Sequence, residues 1–519
     1  MKHLFRLFIT SFILISFTPL KAQLSSIPYE NGVYQLSTSE HLMSLSAAVV
    51  GGDTTEGRTF RLMQDIDMKN ITTFIPIGGW KYSSETDTYI RVDQTQSLFR
   101  NMIFRGTFDG NHHKILNLSI IKNGEIKFSP FGYLGVFGLI DDARVENLFV
   151  EDFLVDYQHS FDGFGGIIGG SYNSVIFNCH AKMFLQGGAS MYGGITSYAY
   201  ESTITKCSSI SSFTTLSAPF SMGGFIGTVE NCIISNCFSK GTISNYLTNG
   251  QYIAVNIGGF IGIIRGKSIV KNCYSCTDIT ASGVFLRCGG FAGLNGRNTS
   301  IGPSKEEIEQ RFSDTESTEQ SVVFNCYVVP DVFEVFTSNL SKGLFAGENN
   351  DTIRNCFYST AIFGYEGIGY SNPEASALLY GKSDTEIQTP LMVAVPGTLG
   401  SSLNFELHEP AWTQDVAPFV NNGFPILKWE KEVGIQENKM KSSVKIYPNP
   451  TNGQLTIDNG QLIINSIEVF DVYGRNLSKI SNVKSNISNL IDISHLISGI
   501  YFIKIKTLYG MVVKKIIKN

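Results

Sequence analysis

Three groups of residues in this 519-residue chain have the types and spacing that chemistry asks for. The first is a run of carboxylates, Asp141, Asp142, Glu146, Glu151, Asp152 and Asp156. A glycoside hydrolase needs two such groups across one bond, about 5 to 9.5 Å apart, and an oxygen-rich cluster also suits calcium. Solvated strand faces would place the same residues there, so both explanations stand. The second is His408-Glu409-Pro410-Ala411-Trp412, which begins like the zinc signature His-Glu-x-x-His. That signature works because a helix sets two ligands one turn apart with Glu as base. Here Trp412 stands where the second His belongs and Pro410 breaks the helix, so no catalytic residue and no metal ligand is assigned. The pair His112-His113 sits in an Asp109-Gly-Asn turn and suits a structural role better than a metal. The third group is nine cysteines, six of them at one recurring position: Cys179, Cys207, Cys237, Cys273, Cys326 and Cys356. No nucleophile signature accompanies them. None of the glycine pairs opens a helix as a phosphate loop would.

The elements that must position these residues follow from composition and period. The chain carries 40 Lys+Arg against 45 Asp+Glu, 16% charged and 43% hydrophobic residues, 51 Gly and 37 Phe. No basic block points to nucleic acid, and abundant Gly, Asn, Ile and Phe is the usage of short strands and tight turns. Glycines recur at Gly135, Gly166, Gly194, Gly224, Gly259, Gly290 and Gly343, mostly 28 to 35 residues apart. Thirteen or fourteen residues after most of them comes Val/Ile-x-Asn-Cys, as in Ile176–Cys179, Ile234–Cys237, Val270–Cys273, Val323–Cys326 and Ile353–Cys356. Ile204-Thr-Lys-Cys207 differs only at the Asn, while Val145-Glu-Asn-Leu148 and Ile115-Leu-Asn-Leu118 keep the frame with Leu. A unit too short to bury its own apolar face must stack on copies of itself.

The predicted fold is therefore all-β: a right-handed parallel β-helix (β-solenoid) followed by a small C-terminal β-sandwich. Stacked coils put Cys over Cys at roughly 4.8 Å, too far for the ~3.8 Å Cβ separation of a disulfide. The six cysteines should form a buried free-thiol ladder, with Cys232 and Cys276 the two that could pair. Residues 297–320 interrupt the period as a polar insertion with a capping box at Ser304 opening a short helix; it is either a binding loop or a neutral insertion. Lys2, His3 and Arg6 before the apolar run Leu7–Leu20 mark residues 1–22 as a secretory signal peptide, an uncleaved anchor being the other option. No later segment reads as membrane-spanning. Residues 23–125 and 366–435 would cap a solenoid at 126–365, because open coil ends expose unpaired strand edges. Residues 436–442 would be a linker. From Ser443 the charge balance reverses, to 9 Lys+Arg against 4 Asp+Glu.

The glycine-anchored Asn-Cys unit, over roughly residues 130 to 365, resembles the GLUG repeat of bacterial surface proteins and of IgA-specific metallopeptidases. Phe60–Asp67, Ile75–Gly79 and Phe104–His113 resemble the usual lead-in, and Trp412–Asp415 with Asn422–Trp429 the usual closing segment. Tyr447-Pro448-Asn449-Pro450, the Asp471–Arg475 block with Gly474, Ile493–Phe502 with Gly499, and Val513–Lys518 resemble the type A C-terminal sorting domain of the type IX secretion system. That resemblance implies the secretion machinery as a partner, and export through the periplasm of a Gram-negative bacterium to the medium or outer surface.

The expectation for function is an adhesin-like binding protein for a glycan or a host or matrix protein, with no cofactor beyond calcium. Phe238, Tyr274, Tyr327 and Phe357, each following a ladder cysteine, either form part of the ligand surface or pack under loops. A β-helix polysaccharide lyase or glycoside hydrolase is the alternative, and a structural surface-layer component the third.

Overall fold

The computed structural model describes residues 24–519 except 93–96, 122–126, 129–131, 216–217, 247–254, 297–319, 338–340, 395–397, 402, 405–408, 418, 434–444, 459–463, 471–475, 482–487 and 508–509. The leader 1–22, the insertion's helix, the linker, His408 and Gly474 thus lie outside the described residues.

The chain is a parallel β-helix followed by a β-sandwich. One face of the helix is an eight-stranded parallel sheet: β1 (Phe137–Asp141), β2 (Ile168–Tyr172), β3 (Thr196–Tyr200), β4 (Ile226–Glu230), β5 (Ile261–Arg265), β6 (Ala292–Asn295), β7 (Ala346–Asn349) and β8 (Ile368–Ser371). The other faces form one 27-stranded sheet among the described residues. A representative coil runs Ser221–Gly223, β4, Ile233–Ser235 and Phe238–Tyr246, and every strand pairs in parallel register with its counterpart in the next coil.

Two bends explain the repeat. At the first, the glycine column lets coils approach closely: a Cβ on Gly194, Gly224 or Gly259 would collide with the carbonyl oxygen of Gly224, Gly259 or Gly290 in the next coil. The phenylalanines that follow stack inward, with Phe225–Phe260, Phe260–Phe291 and Phe291–Phe345 centroids 4.7, 4.9 and 4.8 Å apart. At the second, the Asn of Asn-Cys adopts the left-handed conformation, with φ of 52° at Asn178 and 55° at Asn236, which Asn tolerates better than most residues. Its side chain bonds along the rod: Asn272 Nδ2 donates to Asn236 Oδ1 (3.3 Å), Asn325 to Asn272 (2.7 Å) and Asn355 to Asn325 (2.9 Å).

All nine cysteines are free, so Cys232 and Cys276 do not pair: Cys232 is fully buried beside Ser202 and Ser268, while Cys276 is half-buried and donates to Asn421. Cys179, Cys207, Cys237, Cys273, Cys326 and Cys356 are buried in one column. The thiols serve the backbone, because Cys179 N–H donates to Cys207 Sγ at 3.3 Å and Cys207 N–H to Cys237 Sγ at 3.4 Å. Burial pushes the Cys179, Cys207, Cys237 and Cys326 thiols well above their usual range and Cys232 up to about 12, which keeps them protonated and unreactive.

The N-terminal end is closed by helix α1 (Ser39–Val50), capped by the Thr38 side chain and burying Leu42, Leu45, Ala48 and Val49 in the same core as Leu36 and Phe60. The other end differs from expectation. Rather than capping the rod, residues 368–382 add a further coil, β8 on β7 and β9 (Ser376–Lys382) on Thr352–Ser359. The chain then turns aside as a strap that lies along the flank and ends in α2 (Lys428–Val433). The C-terminal sandwich packs a three-stranded on a four-stranded antiparallel sheet around Leu455, Ile457, Val469, Ile491, Ile503 and Ile505. None of the described helices is long and apolar enough to cross a membrane.

Lys206 is the one break in the Asn column, held at φ 54° between Asn178 and Asn236. Lys206→Asn should relieve that backbone and join the two amide runs, raising stability by about 1 kcal/mol; a shift of the urea midpoint to higher concentration checks it.

Candidate ligand-binding face

The expected aromatic ladder exists, but it is not a surface. Phe238, Tyr274, Tyr327 and Phe357 are buried; Phe238–Tyr274 and Tyr274–Tyr327 stack at 4.9 and 5.0 Å, and the strap covers all four. Trp412 packs against Tyr274 and Tyr327, and Trp429 stacks on Phe238 at 5.8 Å while its Nε1 donates to Asn236 O at 2.9 Å. Asn421 Nδ2 donates to Tyr327 Oη, and Lys240 Nζ to Val420 O. The coil aromatics therefore bind the chain's own closing segment, which is the second of the two roles expected for them, packing under a covering segment rather than forming the ligand surface. His180 ends this contact, ring to ring with Trp429 at 5.2 Å, and burial drives its pKa down to about 3, so it packs neutral.

The carboxylate run does not converge on an open groove either. Asp141 and Asp142 both clasp the guanidinium of buried Arg105. Glu146 pairs with Arg144 at 2.6 Å, Glu151 with Lys114 at 2.8 Å and Asp152 with Lys182 at 3.3 Å, while Asp156 is exposed. Arg105 lies a full coil before Asp141 and Asp142, whereas Arg144 and Glu146 are two residues apart in one strand. Among the described residues no group of His, Cys, Asp and Glu is arranged to hold a metal ion. Glu409 and Pro410 form a short strand rather than a helix. His113 Nδ1 lies 3.3 Å from Asp65 and Asp109 ties the same turn to Arg61 and Asn147, which makes the double histidine part of the N-terminal turn.

What remains on the outer edge of the eight-stranded sheet is a strip of five residues in register: Asp141, Tyr172, Tyr200, Glu230 and Arg265. All five are half-buried. Tyr172 and Tyr200 sit on adjacent coils with ring centroids 6.2 Å apart, and Tyr198, buried and two residues before Tyr200 in the same strand, lies 5.6 Å from Tyr172. Tyr198 Oη donates to Glu230 at 3.3 Å. The next position in each coil is polar and left-handed: Asp142, Asn173, Glu201 and Asn231. Asn173 Nδ2 donates to Asp141 at 3.1 Å, so the amide and carboxylate edges are fixed rather than free-swinging. Flat rings bordered by immobilised carboxylates and amides offer stacking together with hydrogen bonds.

In the sandwich, Tyr447-Pro448-Asn449-Pro450 precedes a clasp on the last strand: Ile517 N–H donates to Asn449 Oδ1 and Thr451 N–H to Ile517 O, both at 2.9 Å. Gly499 opens the strand Gly499–Thr507, which pairs with that same last strand.

Residues 445–519 match the secretion system C-terminal sorting domain, and residues 218–244 match the GLUG motif. The chain carries a type IX sorting domain. The GLUG match falls on the representative coil described above, ending within its strand Phe238–Tyr246. A comparison with curated proteins returned no match. Two solved structures are similar: an IgA1 protease at 18% identity and TM-score 0.42, with 66% of this chain covered, and a protein described as a candidate immunoglobulin A1 protease from Bacteroides ovatus at 15% identity and TM-score 0.38, with 76% covered. The alignment spans 22% of the first of these and 92% of the second. The sorting domain makes this a secreted or cell-surface protein, handled by the type IX system.

Glu430 fastens the strap. It is buried, accepts from Tyr274 Oη at 2.8 Å and from Leu427 N at 2.7 Å, and burial raises its pKa to about 7 against the opposing pull of Lys240. A pKa raised by folding gives stability that is complete below the unfolded value near 4.3 and is lost as pH rises through 7. Strap docking should therefore weaken from pH 5 to pH 9, read as increasing protease cleavage within residues 384–433, and Glu430→Gln should flatten that dependence.

Proposed function

We propose that the protein is an adhesin-like surface β-solenoid that binds a glycan along the Tyr172–Tyr200 strip. The supporting observation is the registered pair of half-buried tyrosine rings on adjacent coils, flanked by Asp141, Asn173, Glu201 and Asn231. Sugar rings present an apolar face and a rim of hydroxyls, which suit a flat aromatic and fixed carboxylate and amide groups respectively. A rigid parallel rod holds such groups at a constant spacing and loses little freedom on binding. The route we infer is signal-peptide export to the periplasm of a Gram-negative cell, then transfer across the outer membrane by the type IX machinery.

The secreted protein should be retained on an array of plant, algal and host glycans without releasing product, and Tyr172→Ala with Tyr200→Ala should lower that retention at least tenfold. New reducing ends or unsaturated sugars would instead identify a polysaccharide lyase or glycoside hydrolase.

Deleting residues 443–519 should leave the solenoid folded and held in the periplasm, as seen by fractionation and protease resistance. Normal surface display of the truncated chain would refute the sorting role.

A further inference from the structure

The two ends of the rod are treated differently. At the N-terminal end α1 closes the core, leaving Leu36 and Phe60 at 0% exposure, and the outermost strand there, Tyr29–Glu30, is two residues long and antiparallel. At the opposite end no described strand pairs with the outer side of the last coil. Among the described residues β8 pairs only with β7, and β9 pairs only with Thr352–Ser359, so both present an unpaired outer edge. The coil they belong to also exposes large apolar side chains: Phe363 is 92% exposed, Leu378 54%, Tyr380 45% and Tyr370 42%. Ile362, Tyr365, Ile368 and Leu379, which continue the core into this coil, are only partly buried.

Natural edge strands of this kind are guarded by charges, proline, bulges or a covering element. In β9, Ser-Ala-Leu-Leu-Tyr-Gly-Lys, the single charge stands at the end. The described strap does not cover it, because it departs along the flank and carries α2 back to the coil of Asn236, where Trp429 is fastened. A row of unpaired backbone N–H and C=O groups calls for a strand, and the strand whose match is already present is β9 itself. Two copies related by a twofold axis through Leu379 would run antiparallel and set Leu378 of each opposite Tyr380 of the other, with Lys382 facing Ser376. No like charges meet within that strand pair. Head-to-tail growth is blocked by α1, so this contact closes on itself.

We propose that the rods pair tail to tail, a second copy of this chain covering the open last coil through β9. The pairing is separate from the glycan strip, which lies on the eight-stranded face, so either can fail alone.

The test uses the full secreted chain. Light scattering at high micromolar concentration should give twice the chain mass, with small-angle scattering showing a particle about twice the length of one rod. Placing lysine on the outward edge, Ser376→Lys with Leu378→Lys, should return the mass to that of one chain while the thermal midpoint of the solenoid stays put; Tyr29→Lys, at the closed end, should leave the pair intact. A single-chain mass for the unaltered protein, a pair that survives the two lysines, a pair lost with Tyr29→Lys, or open-ended filaments would each overturn the proposal.

Discussion

The left-handed bend at Asn-Cys is the constraint on which the rest of the solenoid depends. A coil can stack on its neighbour only if it turns at the same place with the same geometry, and that turn needs a residue at positive φ in every coil. Asn supplies it in the coils on either side of Lys206, and the amide then bonds to the amide of the neighbouring coil, so a locally unfavourable conformation becomes a column of hydrogen bonds. The residue that follows must be small, apolar and able to meet backbone groups at the bend. Cysteine does all three, accepting a neighbour's N–H and donating to the carbonyl two residues back, as Cys207 does to Thr205 at 3.2 Å. Its abundance in a secreted chain reflects the bend rather than a need for cross-links.

Much of this was legible in the sequence because a solenoid writes its contacts as a period. Glycine spacing gives the coil length, the Asn-Cys offset gives the second bend, and cysteines at one repeat position, a strand spacing apart, argue against bridges. The Tyr447–Pro450 and Gly499 motifs likewise marked the sandwich. What stayed hidden has no period. The strap contacts coils by way of residues more than a hundred positions away, such as Trp429 with Asn236 and Glu430 with Tyr274, so nothing local told a covered aromatic from an exposed one. The Arg105 clasp on Asp141 and Asp142 is hidden for a similar reason, since Arg105 stands in the lead-in, outside the repeating unit. The Tyr172–Tyr200 strip carries no repeating signature, since Asp141, Tyr172, Tyr200, Glu230 and Arg265 share a register position but not a residue type.

Buried charge shows how finely the later coils are set. Arg287 and Glu348 are both buried and meet at 2.6 Å, with Asn350 donating to the second carboxylate oxygen at 2.8 Å. Such a pair adds little stability over an apolar core, yet removing one partner strands the other charge at a cost of about 3–5 kcal/mol. It joins coils on either side of the insertion, where the period breaks. A mismatch there would leave two charges unpaired, so the pair penalises wrong stacking at the one place where the sequence cannot specify it by repetition. Asp351 acts in the same region, accepting from both Ser321 N and Ser321 Oγ at 2.9 and 2.7 Å and so pinning the point where the chain re-enters the coil.

The strap then decides where the rod stops being self-contained. By covering the aromatic ladder on the flank it hides an apolar stripe of the solenoid, and it does so with polar fasteners: a tryptophan N–H, a lysine ammonium and a carboxyl. Those fasteners give the strap one register along the rod, which stacking of flat rings alone would leave free to slide. The cost falls on the last coil, which the strap leaves unshielded. A solenoid closed by a helix at one end and left unshielded by its strap at the other has an intrinsic direction, and its two ends cannot play the same part at a cell surface.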